Sequence, residues 1–91
     1  MSGAKENQSP LTFPCQFPIK VMGWNTDKFE NDIVMIANQH VANLGEAAIK
    51  SRPSSSAKYL SVTVTITATS QEQLDNLYRA FNKHPDVKMV L

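Results

Sequence analysis

Residues 60–69 constrain the fold more than any other part of this sequence. Every second position is apolar, and the positions between are serine or threonine; the apolar set is Leu60, Val62, Val64, Ile66 and Ala68. A strict period of two predicts a β-strand, and the many β-branched residues agree with that assignment. One face of this strand is apolar and the other carries hydroxyl groups. It therefore needs a covering layer on one side only.

Two amphipathic helices are predicted to supply that layer. The first stripe predicts a helix over residues 27–42, capped by Asn25 or Thr26, and consists of Phe29, Ile33, Ile36, Ala37, His40 and Leu44. A second helix is predicted to begin after Ser70, which together with Gln73 has the spacing of a capping box. Its stripe is Leu74, Leu77, Tyr78 and Phe81, and Pro85 lies beyond its end.

Three further strands complete the pattern. They are predicted over residues 17–22, which Gly23 ends, over 47–52, and over 87–91. In the last of them, Val87, Met89 and Leu91 are expected to face the helices. The order is then β-α-β-β-α-β, which interlocks as two right-handed units. We predict an α+β, ferredoxin-like two-layer sandwich with antiparallel strand order 4-1-3-2, formed by residues 11–91 after a flexible leader over 1–10.

Composition excludes several classes of protein. Nine lysines and arginines against eight carboxylates leave a net charge of +1, so no strong overall field attracts nucleic acid or a membrane surface. The single cysteine, Cys15, cannot form an internal disulfide or a zinc-finger ligand set. No apolar run approaches the roughly 20 residues that cross a bilayer, and no signal sequence is visible. A cytoplasmic location is expected.

The sheet face turned away from the helices is predicted to be polar, mildly basic and uncovered. A protein partner could bind there, or at the serine-rich loop beside it. The predicted partner-binding residues are Lys20, Met22, Lys50, Arg52, Ser54, Ser55, Thr63, Thr65 and Lys88, with Val90 expected on the same face. RNA-binding sheets stack bases on aromatic residues of their central strands. Threonines hold those positions here, so nucleic acid is disfavoured.

The first β–α connection is the second candidate site. Glycine allows close approach of a ligand, and a helix N-terminus favours an anion, so a small molecule could bind at Gly23, Trp24, Asn25 and Asp27. The alternative, which we favour, is that Gly23 supplies a turn and Trp24 covers the edge of the core.

No catalytic or metal-binding pattern is present. Cys15, His40 and His84 have no spacing that indicates a nucleophile and its base, and the first β–α loop lacks the cysteines of copper chaperones. A phosphate cradle of the acylphosphatase kind is also missing. We expect neither enzymatic activity, nor a cofactor, nor a bound metal.

Several short motifs resemble the YbeD family of small bacterial proteins. They are Phe13-Pro14, the run from Phe17 to Gly23, Pro53-Ser54-Ser55, Tyr59, Leu77-Tyr78 and the ending Val87 to Leu91. The resemblance implies a ferredoxin-like fold similar to the ACT regulatory domains of amino-acid metabolism, and it implies no activity. Family members commonly have glycine near Ala57. Since alanine tolerates positive φ poorly, the loop is expected to differ here.

Two functions from different classes follow. One is a regulatory module that senses a small metabolite, expected from the ACT-like resemblance and the Gly23 connection. The alternative is a protein–protein adaptor that uses the open sheet face, and RNA binding ranks below both. Association as a homodimer, through the sheet faces or the strand edges, is compatible with either.

Overall fold

Four strands and two helices make up the computed structural model, which describes residues 12–42 and 44–91. In chain order they are β1 (Cys15–Trp24), α1 (Phe29–His40), a 3-10 turn (Glu46–Ala48), β2 (Ile49–Pro53), β3 (Tyr59–Ala68), α2 (Gln71–Asn82) and β4 (Val87–Val90). The antiparallel sheet has the order β2-β3-β1-β4, which is the predicted 4-1-3-2 read from the other edge. The predicted fold is confirmed. The leader predicted over 1–10 lies outside the described residues.

The core lies between the sheet and the helices. The predicted apolar face of β3 is buried along its whole length. Against it pack Phe29, Ile33 and Ala37 of α1 and Leu74, Leu77 and Phe81 of α2, all of them buried. Tyr78 borders this core, and burial raises the pKa of its hydroxyl.

The helix ends show one correct and one wrong prediction. The Ser70 hydroxyl accepts a hydrogen bond from the Gln73 backbone N–H at 3.0 Å and caps α2 as expected. Helix α1 instead begins at Phe29, and its N-cap residue Lys28 makes no capping hydrogen bond through its side chain. Neither Asn25 nor Thr26 caps the helix, because the Asn25 side chain donates to the Ala57 carbonyl at 3.0 Å.

Strand β4 differs from the prediction in which side chains face the core. Val21 pairs with Val90 and Met22 with Met89, but Gly23 pairs with Val87, so the register shifts between Met22 and Gly23. Directly opposed residues share a face, so Val90 packs on the core and Met89 lies on the open face. The predicted grouping of Val87, Met89 and Leu91 is wrong because a β-bulge breaks the period of two.

Candidate functional site

The open side of the sheet brings most of the predicted partner-binding residues together. Lys20 pairs with Thr63, which pairs with Lys50, so these three form one row across β1, β3 and β2. Met22, Ser61 and Arg52 form the next row. An open groove of about 530 Å³ lies over these two rows and is lined by their three cations, Lys20, Lys50 and Arg52. We call this surface the basic face; its residues are Lys20, Met22, Trp24, Lys50, Arg52, Lys58, Tyr59, Ser61, Thr63, Lys88 and Met89.

Charge is strongly segregated between the two layers. The described strands contain Lys20, Lys50, Arg52 and Lys88 and no aspartate or glutamate. All carboxylate residues of the described ranges belong to helices or connections: Asp27, Glu30, Asp32, Glu46, Glu72, Asp75 and Asp86. Four cations, Lys28, Lys58, Arg79 and Lys83, also lie outside the strands, so the described helices and connections are net acidic and the strands are basic. A net charge of +1 conceals this difference, and the sheet can attract an anionic partner locally.

An aromatic pair closes one end of the basic face. Trp24 stacks on Tyr59 with ring centroids 5.1 Å apart and planes inclined by 22°. The Lys88 ammonium lies 4.6 Å from the Trp24 ring centroid, and that of Lys58 lies 5.5 Å away. Tyr59 comes from β3 and Lys88 from β4, the two neighbours of β1, so side chains of both neighbouring strands contact the Trp24 ring. The sequence places Trp24 in a loop, whereas it ends β1 and is half-buried.

The residues predicted to bind a small molecule are turned in different directions. Gly23 is a buried strand residue, and a Cβ there would overlap the Asp86 carbonyl oxygen and lie 2.6 Å from the Phe29 ring. The backbone N–H of Trp24 donates to Asp86 and that of Asn25 to the Lys58 carbonyl, both at 3.0 Å. Asp27 is exposed before α1. The atoms that approach Gly23 closely thus belong to the protein itself. The neighbouring backbone N–H groups of Trp24 and Asn25 already donate to carbonyls within the protein.

The serine-rich loop after β2 is held by its own hydrogen bonds. The Ser54 hydroxyl accepts from the Tyr59 backbone N–H at 3.1 Å, and the Ala57 N–H donates to the Ser54 carbonyl at 2.8 Å. Ser55 is exposed beside them. Ala57 has φ of 61°, so the loop adopts the left-handed conformation at this residue although alanine tolerates it poorly. Whether the loop differs from that of other family members stays a prediction.

Replacing Ala57 with glycine is expected to raise the free energy of unfolding by about 0.5–1 kcal/mol. A left-handed conformation costs an L-residue about 1–2 kcal/mol, and the greater freedom of glycine in the unfolded chain cancels part of the gain. Urea unfolding measures the change. Ser55→Gly, on an exposed neighbour whose φ is not left-handed, is the matched control and is expected to destabilise slightly. A loss of stability in Ala57→Gly would contradict the described loop.

Cys15 and His84 are not brought together as a nucleophile and its base. Cys15 begins β1, whereas His84 lies in the turn before β4, at the opposite end of β1. The His84 Nε2 lies 2.9 Å from the Asp32 carboxylate, and its Nδ1 accepts from the Asp86 N–H at 3.1 Å. This pair, which the sequence did not reveal, joins the β4 turn to α1. Within residues 12–42 and 44–91, no cluster of His, Cys, Asp and Glu could hold a metal.

Comparison with known families agrees with the resemblance. Residues 8–91 match the family described as "Protein of unknown function (DUF493)". The chain belongs to this family. A UPF0250 protein of Janthinobacterium sp. (strain Marseille) is 50% identical over the full length of both chains. A UPF0250 protein of Paraburkholderia phytofirmans is 46% identical over 93% of this chain and 96% of its own. UPF0250 is the YbeD family, so the predicted relationship is confirmed.

Two solved structures of other proteins show the same fold. Protein HP0495 from H. pylori superposes with a TM-score of 0.70 at 15% identity, over 98% of this chain and 97% of its own. The ACT domain from GTP pyrophosphokinase of Chlorobium tepidum gives a TM-score of 0.65 at 15% identity, over 84% of each chain. The ACT-like fold is thereby established for this DUF493 protein. In the described part of the chain, no helix is long and apolar enough to cross a membrane.

Proposed function

We propose that this protein is a cytoplasmic regulatory adaptor that binds an acidic segment of a protein partner on the basic face. Charge segregation carries the proposal, because the described strands hold four cations and no carboxylate. Complementary charge raises the rate of encounter and rejects basic partners. The function proposed is binding without catalysis.

The shape of the basic face favours a chain segment over a small molecule. Sites for small ligands are concave and bury most of the ligand surface. Here the groove beside Lys20 and Arg52 is open along the sheet, and its floor is formed by Ser61 and Thr63. Such a surface gives many weak polar contacts to an extended or helical segment. Trp24 stacks on Tyr59 and lies near the Lys88 ammonium, which leaves less of its ring available to a nucleic-acid base.

Metabolite sensing is the second candidate. The ACT-like fold favours it, because the C. tepidum domain with a similar fold is the ACT domain of a GTP pyrophosphokinase. The exposed residues Asn25 and Asp27 at the start of α1 would then contact the ligand. The pairing of the Trp24 and Asn25 N–H groups within the protein counts against a site that is already formed.

Reversing two charges of the basic face is expected to reduce partner recovery about tenfold or more. In Lys20→Glu/Arg52→Glu, both exposed cations become repulsive toward a carboxylate, and two lost pairs plus repulsion amount to roughly 1.5–2 kcal/mol. The measurement is quantitative recovery of partners from host extract on the immobilised protein, at low and high salt. Lys28→Glu/Lys83→Glu, at exposed cations just before α1 and just after α2, makes the same change in charge outside the sheet and is the control.

Equal recovery of the same partners by wild type and by the double variant would overturn the adaptor proposal. The same preparations separate it from the second candidate. A panel of amino acids that raises the melting temperature of wild type and double variant alike would favour metabolite sensing instead. For the adaptor, this panel is expected to leave the melting temperature and the Trp24 emission unchanged.

A further inference from the structure

The basic face carries an apolar patch along its β4 side. Met22 and Met89 are directly opposed, and Leu91 exchanges backbone hydrogen bonds of 3.1 and 2.8 Å with Lys20. Met89 is 48% exposed and Leu91 is 61% exposed. Single exposed apolar residues are ordinary, but these three adjoin on one strand pair. We call Met22, Met89 and Leu91 the methionine patch. Methionine adapts its shape to different partners, which suits a binding surface.

The patch and the cations lie at a defined separation. Met22 and Arg52 belong to the same row, two strands apart, as do Lys20 and Lys50. Strands are about 4.8 Å apart, so Met22, the edge of the patch nearest to β2, lies roughly 10 Å from Arg52. A chain in the polyproline II conformation has three residues per turn and advances about 3.1 Å per residue, so side chains three positions apart point to the same side at about 9 Å. An apolar side chain seated on the patch therefore places the residue three positions along the chain beside Arg52 or Lys50.

We infer that the basic face recognises an amphipathic acidic segment, with an apolar side chain on the methionine patch and a carboxylate three residues away at Lys50 and Arg52. The inference rests on the proposed adaptor function and adds to it the pattern that the partner must carry. Charge complementarity selects the carboxylate. Burial of Met89 and Leu91, which water now covers, favours the apolar side chain.

A second copy of this chain presents a related surface, which makes self-association an outcome to be measured. Met35 on α1 is 55% exposed, and the exposed Glu30 precedes it on the same helix. Such a contact would join the helix side of one copy to the sheet of the next and would not close into a symmetric dimer. The occupant inferred here remains a segment of a different protein. The pattern required of it is set by the distance between the methionine patch and the cations of β2.

Dye-labelled peptides of twelve residues test the inference directly. The first carries one leucine and, three residues later, two aspartates in a serine and glycine background. The second replaces the leucine with serine, the third replaces the aspartates with asparagine, and the fourth places leucine beside the aspartates. Fluorescence anisotropy at about 50 mM salt, where surface charges are weakly screened, gives each dissociation constant. The first peptide is expected to bind about tenfold more tightly than the second and the third, and about threefold more tightly than the fourth.

Two methionine variants provide a matched pair. Met89→Ser is expected to remove most of the tenfold advantage of the first peptide over the second. Met35→Ser changes an equally exposed methionine on α1 and is expected to leave all affinities unchanged. Arg52→Glu, at the cation that the inference pairs with the carboxylate, is expected to weaken the first and second peptides alike.

The outcomes separate this inference from the proposed function. Equal affinity for the first and second peptides, with Arg52→Glu weakening both, overturns the amphipathic pattern and leaves the adaptor standing. Affinities that Arg52→Glu does not change count against the adaptor as well. Tighter binding of a ten-residue oligouridylate than of the first peptide assigns the face to nucleic acid. An oligomer that Arg52→Glu or Met89→Ser dissociates assigns it to a second copy, and either result overturns the inference.

Discussion

Replacing Gly23 with alanine is expected to lower the free energy of unfolding by about 3 kcal/mol. The added Cβ would overlap the backbone carbonyl of Asp86 and lie 2.6 Å from the Phe29 ring. Neither neighbour can move freely, since Asp86 accepts the Trp24 N–H bond and Phe29 is fully buried. Overpacking of this kind typically costs about 1–3 kcal/mol, and a backbone obstacle puts it at the upper end. Urea unfolding followed by Trp24 emission measures the loss.

The chain offers a matched control for this substitution in Gly45. A Cβ built at Gly45 has no atom within 4 Å, so Gly45→Ala adds the same methyl group in open space. Its stability is expected to stay within about 0.5 kcal/mol of wild type. If Gly23→Ala proves as harmless as Gly45→Ala, then β1, α1 and the turn before β4 do not meet as closely as described.

The alternation of β3 and the stripe of α2 made the fold predictable, because each element buries one face whose period appears directly in the sequence. The four apolar residues from Val62 to Ala68 lie buried as their spacing predicts. The Ser70 cap was equally local and correct. The ends of β1 and α1 were not predictable in this way. They depend on Asn25 bonding to Ala57, a contact between residues distant in sequence.

The candidate site was predictable only in part, for a related reason. Lys20, Lys50, Arg52 and Thr63 share a face because regular antiparallel strands preserve alternation, and the sequence shows it. Met89 reaches that face only through the bulge opposite Met22 and Gly23, which leaves no mark on the hydrophobic pattern.

The aromatic end of the site had a signal that sequence reasoning missed. Extending the predicted β1 by two residues and β3 by one brings Trp24 and Tyr59 to the open face as a directly opposed pair. The charge segregation was also available once elements were assigned to the sequence. Net charge alone concealed it, because lysine and arginine in the strands are balanced by carboxylates in the helices.

Removing the Phe29 side chain is expected to have the largest effect on stability of any single change argued here. Its ring is fully buried, approaches Gly23 from below the sheet, and meets the His84 ring edge-on with centroids 5.8 Å apart. It therefore joins β1, α1 and the turn before β4. Phe29→Ala is expected to cost about 3–5 kcal/mol, against about 1–1.5 kcal/mol for Phe29→Leu, which keeps most of the buried volume. Urea unfolding compares the two, and equal losses would contradict the described packing.

A double-mutant cycle between Gly23 and Phe29 tests that contact even if Phe29→Ala does not fold. The ring atoms nearest to the absent Cβ are Cε1 and Cζ of Phe29, which leucine lacks. In Gly23→Ala/Phe29→Leu the new methyl group occupies part of the vacated space, so the combined loss is expected to be about 1 kcal/mol smaller than the sum of the single losses. The relief is partial because the Asp86 carbonyl remains in place. Additive losses would mean that Gly23 is required by the Asp86 backbone alone, and Phe29 would then have no part in keeping this position free of a side chain.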